Sequence, residues 1–231
     1  MAKQEHILAV GGHQGDMELT CGAVIAKYTS AGHKATFLSL TPGEKGHPTL
    51  PPDKYREQKM AEGREVARLL GAKALFLPYP DAELPVNEEV QYAIADVIRQ
   101  VKPTILITHW SGSFHPDHRA AHHNVIGSLL KAGLKWIQRQ RPAHGVGKVF
   151  FAENWEDAEG FVTELYVDVS TSFKTWAEAI KHMAFARGET GFPYVDYYTS
   201  LARARGAETG CQYAQAFMPY RYARRQRVEY L

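Results

Sequence analysis

The feature that most constrains the fold is a regular alternation of short apolar runs with longer segments of helical periodicity. Six short runs predict strands: Ile7–Val10, Ala35–Leu40, Ala74–Pro78, Thr104–Thr108, Val149–Ala152 and Leu165–Val169. Three helical patterns lie between the first four of these runs: Met17–Ser30, Pro52–Leu70 and Glu88–Val101. Each connection is long enough for a right-handed crossover between parallel strands. The sequence therefore predicts an α/β fold, with a mostly parallel sheet and helices on both of its faces.

The pattern continues to the end of the chain without a break that would separate domains. Two further helices are expected at Ser172–Ala186 and Tyr194–Arg205, and no repeat or linker interrupts the chain. With 231 residues, of which 45% are hydrophobic, the chain can bury a sizeable core. We expect one domain over residues 1–231.

Composition excludes several classes of protein. The formal net charge of +2 is too small for a general nucleic-acid binder, and no apolar run approaches the roughly 20 residues that cross a bilayer. Cys21 and Cys211 do not make a disulfide framework, and the apolar run near the N-terminus is too short for a signal peptide. A cytoplasmic protein is expected. One local basic cluster is a solvated tail, an oligomer contact or an anion contact: Arg221, Arg224, Arg225 and Arg227.

Histidine and carboxylate residues follow two of the predicted strands. His13 and Asp16 come after the first strand, and His115-Pro116-Asp117-His118 follows the fourth. Ligands of open α/β sheets bind beyond the carboxyl ends of strands, and strands one and four are neighbours in the commonest doubly wound orders. Imidazole and carboxylate ligands with an open position suit catalytic zinc, which lowers the pKa of bound water to about 7. The spacing therefore favours a metal site at this edge.

Two other interpretations of these residues stay open. Eleven histidines make accidental pairs common, and His118–His123 could be only a solvated helix face. Gly11–Asp16 could be a phosphate-binding glycine turn. It lacks the G-x-G-x-x-G spacing, which makes that alternative the weaker one.

The motifs and their order resemble the PIG-L (LmbE-like) family of zinc-dependent N-acetylglucosaminyl deacetylases. The matching residues are His13, Asp16 and Glu18; Thr41, Gly43, Glu44 and Gly46; Asp81; His115 to His118; and Tyr213–Phe217. The resemblance runs from residue 6 to about residue 220. It implies a Rossmann-like fold, substrates that are N-acylated sugars or their conjugates, and a homo-oligomer, either a trimer or a hexamer.

The resemblance also implies roles for individual residues. His13, Asp16 and His118 would be the zinc ligands. His115 would face the developing oxyanion or donate a proton to the leaving amine, and Asp117 would orient His115. The implied activity is hydrolysis of the amide of an N-acylated sugar or related small molecule.

Two positions depart from the family pattern. The usual H-P-D-D motif is His13-Gln14-Gly15-Asp16 here, so Gly15 stands where the family has its general base. Gln215 replaces the usual glutamate of the C-terminal motif. General-base catalysis is worth about 10² to 10⁴ in rate, so the loss matters.

Three explanations of the vacant base position remain. Glu44 or Asp117 serves as the base from a neighbouring loop, or the metal alone activates water sufficiently for a reactive substrate. In the third, the chain is a metal-dependent sugar-binding pseudoenzyme.

Further residues are candidates for substrate contact. Arg56, Asp81 and Trp110 are expected at the substrate, although a solvated helix face for Arg56 and core packing for Trp110 are ordinary alternatives. His122, one turn after His118, is expected to pack near the site.

Overall fold

The structure is a computed structural model that describes residues 4–222. Its strands are β1 (His6–His13), β2 (Lys34–Thr41), β3 (Lys73–Phe76), β4 (Ile105–Thr108), β5 (Lys148–Ala152), β6 (Leu165–Asp168) and β7 (Ala214–Pro219). Its α-helices are α1 (Asp16–Thr20), α2 (Gly22–Ser30), α3 (Pro52–Leu69), α4 (Glu88–Val101), α5 (Pro116–Gly133), α6 (Phe173–Ile180) and α7 (Tyr194–Thr209). A 3₁₀ turn covers Phe185–Arg187.

The strands form a single seven-stranded sheet in the order β3-β2-β1-β4-β5-β7-β6. The first five are parallel, and β7 runs antiparallel between β5 and β6. The predicted α/β class, the mostly parallel sheet and the pairing of strands one and four are therefore confirmed. The sequence prediction missed β7, whose short Ala-Gln-Ala-Phe run has little β-branched character.

Helices cover both faces of the sheet, as predicted. Alternate side chains of β1 point into two cores: Ile7 and Ala9 pack with residues of α2, α3, α6 and α7, whereas Leu8 and Val10 pack with α4 and α5. All four side chains are fully buried. β1 is therefore the central strand, and the loop that follows it is held firmly at the carboxyl edge.

The sequence prediction also missed α5. His115 caps this helix through its side chain, and Pro116 occupies its first turn, where a missing N–H has no cost. The histidine-rich start of the helix obscures its apolar periodicity. Because α5 begins at this point, the His115–His118 motif lies on the first turn beyond β4.

The predicted helix Met17–Ser30 is two helices, which are separated at Cys21. Gln215 from β7 joins them: its Oε1 accepts a hydrogen bond from the Val24 N–H (3.0 Å), and its Nε2 donates to the Leu19 carbonyl (3.3 Å). A glutamate could accept the first bond but could not make the second while ionised. The amide at position 215 thus satisfies a donor and an acceptor that the helix break leaves free.

The predicted helix Ser172–Ala186 is also divided, into α6 and the 3₁₀ turn that contains Phe185.

Arg221 of the basic cluster pairs with Glu164 (2.7 Å). The other three arginines of the cluster lie outside the described residues. Within residues 4–222, no helix combines the length and the apolar character that a membrane span requires.

Candidate active site

The site lies at the carboxyl edge of the sheet, where the loops after β1 and β4 meet. Val10 is in register with Thr108 across the β1–β4 pair, so the chain leaves both strands at the same level. His13 is the last residue of β1 and Asp16 the first of α1, whereas His118 lies on the first turn of α5. The topology therefore brings these side chains together from distant parts of the chain.

Three ligand atoms surround one point. His13 Nδ1 lies 3.2 Å from His118 Nε2 and 3.4 Å from Asp16 Oδ2, and the latter two atoms are 3.3 Å apart. Zinc–ligand bonds of about 2.0–2.2 Å in a tetrahedron place neighbouring ligand atoms about 3.3–3.5 Å apart. The donor set and its spacing fit a tetrahedral zinc with three protein ligands. That assignment stays a prediction.

Carboxylates fix the orientation of both imidazoles. His13 Nε2 lies 3.0 Å from Asp81 Oδ1 and 3.1 Å from Asp117 Oδ2, and His118 Nδ1 lies 2.6 Å from Glu156 Oε2. The contacts of His13 hold a proton on its Nε2, and the negative charge of Glu156 favours a proton on His118 Nδ1 although the pair is not aligned as a hydrogen bond. His13 Nδ1 and His118 Nε2 are then left with lone pairs directed inward, the tautomers that metal ligation requires.

The neighbouring carboxylates also shift the pKa values of His118 and His13. Burial lowers the pKa of the His118 imidazole, but Asp16 and Glu156 outweigh it and raise the pKa to about 9. The pKa of His13 is also raised well above its usual value, since Asp16, Asp117 and Asp81 outweigh burial. Without a bound cation these carboxylates favour the protonated imidazoles, so metal binding would compete with protons.

The sequence analysis overlooked His109 as a site residue. Its ring is fully buried, stacks on His118 at 3.9 Å between centroids, and places Nε2 3.0 Å from Asp16 Oδ2. Nε2 also accepts a hydrogen bond from the Gly12 N–H (3.0 Å), and within the described residues Nδ1 has no partner. Burial lowers the pKa of His109 to about 4, which keeps the ring neutral. Its position directly after β4, at the switch point of the sheet, could have marked it.

His115 presents a hydrogen-bond donor to the cavity. Its Nδ1 accepts a hydrogen bond from the Asp117 N–H (3.2 Å), which leaves the proton of the neutral ring on Nε2. Burial, then the neighbouring His118 and His13, lower the pKa of His115. A neutral His115 can therefore donate to a substrate oxygen beside the three ligand atoms.

Asp117 does not act as the resemblance implied. Its carboxylate contacts His13 and accepts the backbone N–H groups of Ala82 (2.7 Å) and Leu84 (3.3 Å). The carboxylate does not orient His115, whose ring is held by the Asp117 backbone N–H instead. It orients His13, because the α5 turn directs the Asp117 side chain back toward β1.

An aromatic ring fills the position of the missing base. Gly15 has φ +108°, and a Cβ atom built there would lie 2.2 Å from Phe185 Cζ. An L side chain is disfavoured at that φ, and the overlap leaves it no room. Gly15 is therefore required by the Phe185 ring as well as by its own backbone.

The other predicted site residues lie farther from the three ligand atoms. Glu44 is buried and pairs with Arg56 (2.6 Å), and it accepts the Asp81 N–H (3.3 Å). Neither Glu44 nor Arg56 lines the cavity, whereas Asp81 does. Trp110 donates to the Glu159 carbonyl (2.7 Å) and also stays outside the cavity wall.

Two further expectations can be compared with the geometry. His122 packs as expected, bonding the His109 carbonyl at 2.9 Å. The glycine turn after β1 does not suit phosphate, since the N–H groups of His13 and Gly15 already donate to Asp16 (2.7 Å) and Glu18 (3.1 Å).

The cavity beside the ligand atoms has a volume of about 160 Å³. Histidines and carboxylates form one wall. A second part of the lining, called the aromatic wall, consists of Phe185, Tyr55, Trp155, Tyr194, Tyr198 and Lys59.

The family model described as GlcNAc-PI de-N-acetylase, PIG-L, matches residues 8–128. The chain belongs to the PIG-L family. The matched segment includes β1, the loop with Gly15 and the His115–His118 motif, which are the elements that build the cavity's polar wall.

Relatives within the family differ in reaction. The chain is 22% identical to 4-oxalmesaconate hydratase of Pseudomonas putida, over 89% of this chain and 81% of the relative. It is 25% identical to a 1D-myo-inositol 2-acetamido-2-deoxy-alpha-D-glucopyranoside deacetylase of Catenulispora acidiphila, over 68% of this chain and 63% of the relative. The fold matches the crystal structure of the 4-carboxy-2-hydroxymuconate hydratase of Pseudomonas putida with a TM-score of 0.87 and 21% identity, covering 99% and 100% of the two chains. The match to the deacetylase thus spans less than two thirds of that protein's length.

Proposed function

We propose that this protein is a zinc-dependent hydrolase that cleaves the amide of an N-acylated sugar or a related small molecule. The observation that carries the proposal is the triangle of His13 Nδ1, Asp16 Oδ2 and His118 Nε2, with sides of 3.2–3.4 Å. The similarity to an acetamido-sugar deacetylase supports the substrate class.

The chain's own residues would divide the work as follows. His13, Asp16 and His118 hold the ion, which supplies a Lewis acid and lowers the pKa of water. His115 Nε2–H donates to the carbonyl oxygen as it gains charge, the role of an oxyanion donor. Asp81 and Asp117 keep His13 in the ligating tautomer.

No carboxylate stands at position 15 to accept a proton. Glu44, one of the two substitutes proposed from the sequence, is engaged by Arg56 and does not line the cavity. Asp117, the other, is held by His13 and two backbone N–H groups. The geometry therefore favours a substrate whose hydrolysis needs little general-base assistance.

Gly15 and the hydratase relative together favour a second candidate, hydration of a carbon–carbon double bond in a small molecule. The relative with that activity matches 89% of this chain. The two reactions differ in proton transfer: hydration delivers a proton to a carbon of the double bond, whereas amide hydrolysis delivers one to the leaving nitrogen. The same metal site and the same His115 would serve it.

The test uses the purified full-length chain. We expect about one zinc per chain by mass spectrometry, and acetate release from N-acetylglucosamine conjugates that is lost in His118→Ala. Loss of diene absorbance from an unsaturated carboxylic acid, without acetate release, would favour the hydratase. Zinc and sugar binding without any product would favour the pseudoenzyme. A trimer or hexamer stays a prediction of the resemblance, which light scattering can check, and a cytoplasmic location stays a prediction of the composition.

A further inference from the structure

Lys59 is a buried cation for which residues 4–222 provide no ion-pair partner. It lies on α3, only 6% of its surface is exposed, and its side chain lines the cavity. Its Nζ stands 4.2 Å from the ring centroid of Phe185 and 5.6 Å from that of Tyr55. Within residues 4–222, no carboxylate oxygen lies closer than 4.0 Å to Nζ, the limit for an ion pair. The ammonium makes no hydrogen bond to these residues.

A second buried cation shows what a structural role looks like in this fold. Arg99 on α4 is 1% exposed. Its guanidinium donates five hydrogen bonds to backbone carbonyls, those of Lys131, Ala132, Leu134, Ile137 and Arg141. Arg99 therefore ties the end of α5 to the loop that follows. Lys59 makes no such bond, so it does not serve to join elements.

The surroundings of Lys59 compensate its charge only at a distance. Ring faces attract an ammonium only modestly, and burial lowers the pKa of Lys59 although Asp16, Asp81, Glu18 and Glu62 act against it from a distance. Burying an unpaired charge is costly. A residue that weakens the fold in this way is typical of a binding site.

We propose that Lys59 binds a carboxylate group of the substrate, so that the molecule acted on in this cavity is an anionic one. The proposal rests on the proposed function in that it concerns the same cavity. A neutral hydroxyl would leave the ammonium charged and uncompensated, whereas a carboxylate both pairs with it and accepts its hydrogen bonds. The small cavity and the nearby Asp81 disfavour a phosphate dianion, which needs several donors.

The position of Lys59 sets the geometry of that substrate. Nζ lies 3.0 Å from where a Cβ on Gly43 would stand, and that same point lies 3.2 Å from His13 Cβ. The ammonium therefore approaches the ligand side of the cavity across the left-handed Gly43 (φ +79°).

The experiment measures binding, and does so independently of catalysis. Succinate and the neutral succinamide, two molecules of the same shape, are titrated by calorimetry into the full-length chain, both zinc-loaded and chelator-treated. We expect the wild type to prefer succinate in both states. Lys59→Met, and Lys59→Gln as a second variant, should weaken succinate binding about 10- to 100-fold and leave succinamide unchanged. Lys54→Met, an exposed lysine on the same helix, should bind as the wild type does.

Stability provides the second measurement. Because Lys59 is unpaired, we expect Lys59→Met to melt at the same temperature as the wild type or at a higher one. A lower melting temperature in both Lys59 variants, or succinate binding equal to wild type, would overturn the proposal. So would a wild type without preference for succinate over succinamide. A protein that lacks zinc or deacetylase activity but keeps this preference would contradict the proposed function alone.

Discussion

The two walls of the cavity are built on different principles. On one wall His13, His118 and Asp16 are held by a network of carboxylates and hydrogen bonds. On the other, the Phe185 ring and the unpaired Lys59 face the substrate space. The comparison teaches that the chain keeps the donor geometry of a metal site while hydrocarbon occupies the place of the usual proton acceptor.

The largest effect is expected from removing a ligand side chain of the polar wall. His13→Ala or His118→Ala removes one of three ligands, so we expect zinc content to fall from about one per chain to near zero. Metal analysis after dialysis measures it. His123→Ala, an exposed histidine on the same helix, should keep its zinc. Retention of zinc in both ligand variants would remove the metal assignment.

The next prediction concerns the aromatic wall. Gly15→Ala should lower the free energy of unfolding by about 3 kcal/mol, since the new methyl overlaps Phe185 and the φ is unfavourable. Gly32→Ala is the matched control: its φ is +82° and no atom lies within 4 Å of its Cβ position. We expect it to cost only about 1 kcal/mol.

A double-mutant cycle separates the overlap with Phe185 from the unfavourable φ of Gly15. If Phe185 excludes a side chain at position 15, the two changes should not be additive. The variant with both Gly15→Ala and Phe185→Ala should lose at least about 1 kcal/mol less free energy of unfolding than the sum of the two single losses. Chemical denaturation measures each variant. Simple additivity would mean that the Phe185 ring does not constrain Gly15.

A smaller effect tests the carboxylate that braces a ligand. Glu156→Gln keeps the shape but weakens the contact with His118 Nδ1, so zinc affinity should fall about 10- to 100-fold. Competition with a chelator measures the change. Glu159→Gln, an exposed neighbour, should leave the affinity as it is. An unchanged affinity in Glu156→Gln would show that the carboxylate does not support the ligand.

A further effect, confined to a range of pH, concerns Asp157. Burial raises the pKa of its carboxyl from 3.8 to about 7. Below pH 4 the group is protonated in both the folded and the unfolded chain. Between pH 4 and 7 the unfolded chain loses its proton first, so folding stability declines as pH rises.

Asp157→Asn should therefore be more stable than wild type at pH 8, by on the order of 2 kcal/mol, and the difference should vanish near pH 4. Thermal unfolding across this pH range measures it. Asp196→Asn, an exposed change on α7, should show no such trend. A constant difference at every pH would contradict the buried-carboxyl explanation.

Much of the fold could be predicted from local patterns. Strand β1 and helix α4 lie where the apolar run and the helical periodicity predict them, because the apolar residues of each segment mark the face that it buries. The missed elements have physical reasons. Strand β7 is short and alanine-rich, and the start of α5 is polar because it faces the cavity rather than the core.

The sequence by itself determined that the chain folds as an α/β protein of the PIG-L type and that His13, Asp16 and His118 stand after neighbouring strands. Only the tertiary structure decided which carboxylate faces which histidine: Asp117 turns to His13, and Glu156, 38 positions along the chain from His118, orients that ring. It also decided that Phe185 fills the space beside Gly15 and that Lys59 has no ion-pair partner within residues 4–222. The physical reason is that periodicity reports how each segment meets the core, whereas the orientation of a buried polar group depends on segments distant in the chain.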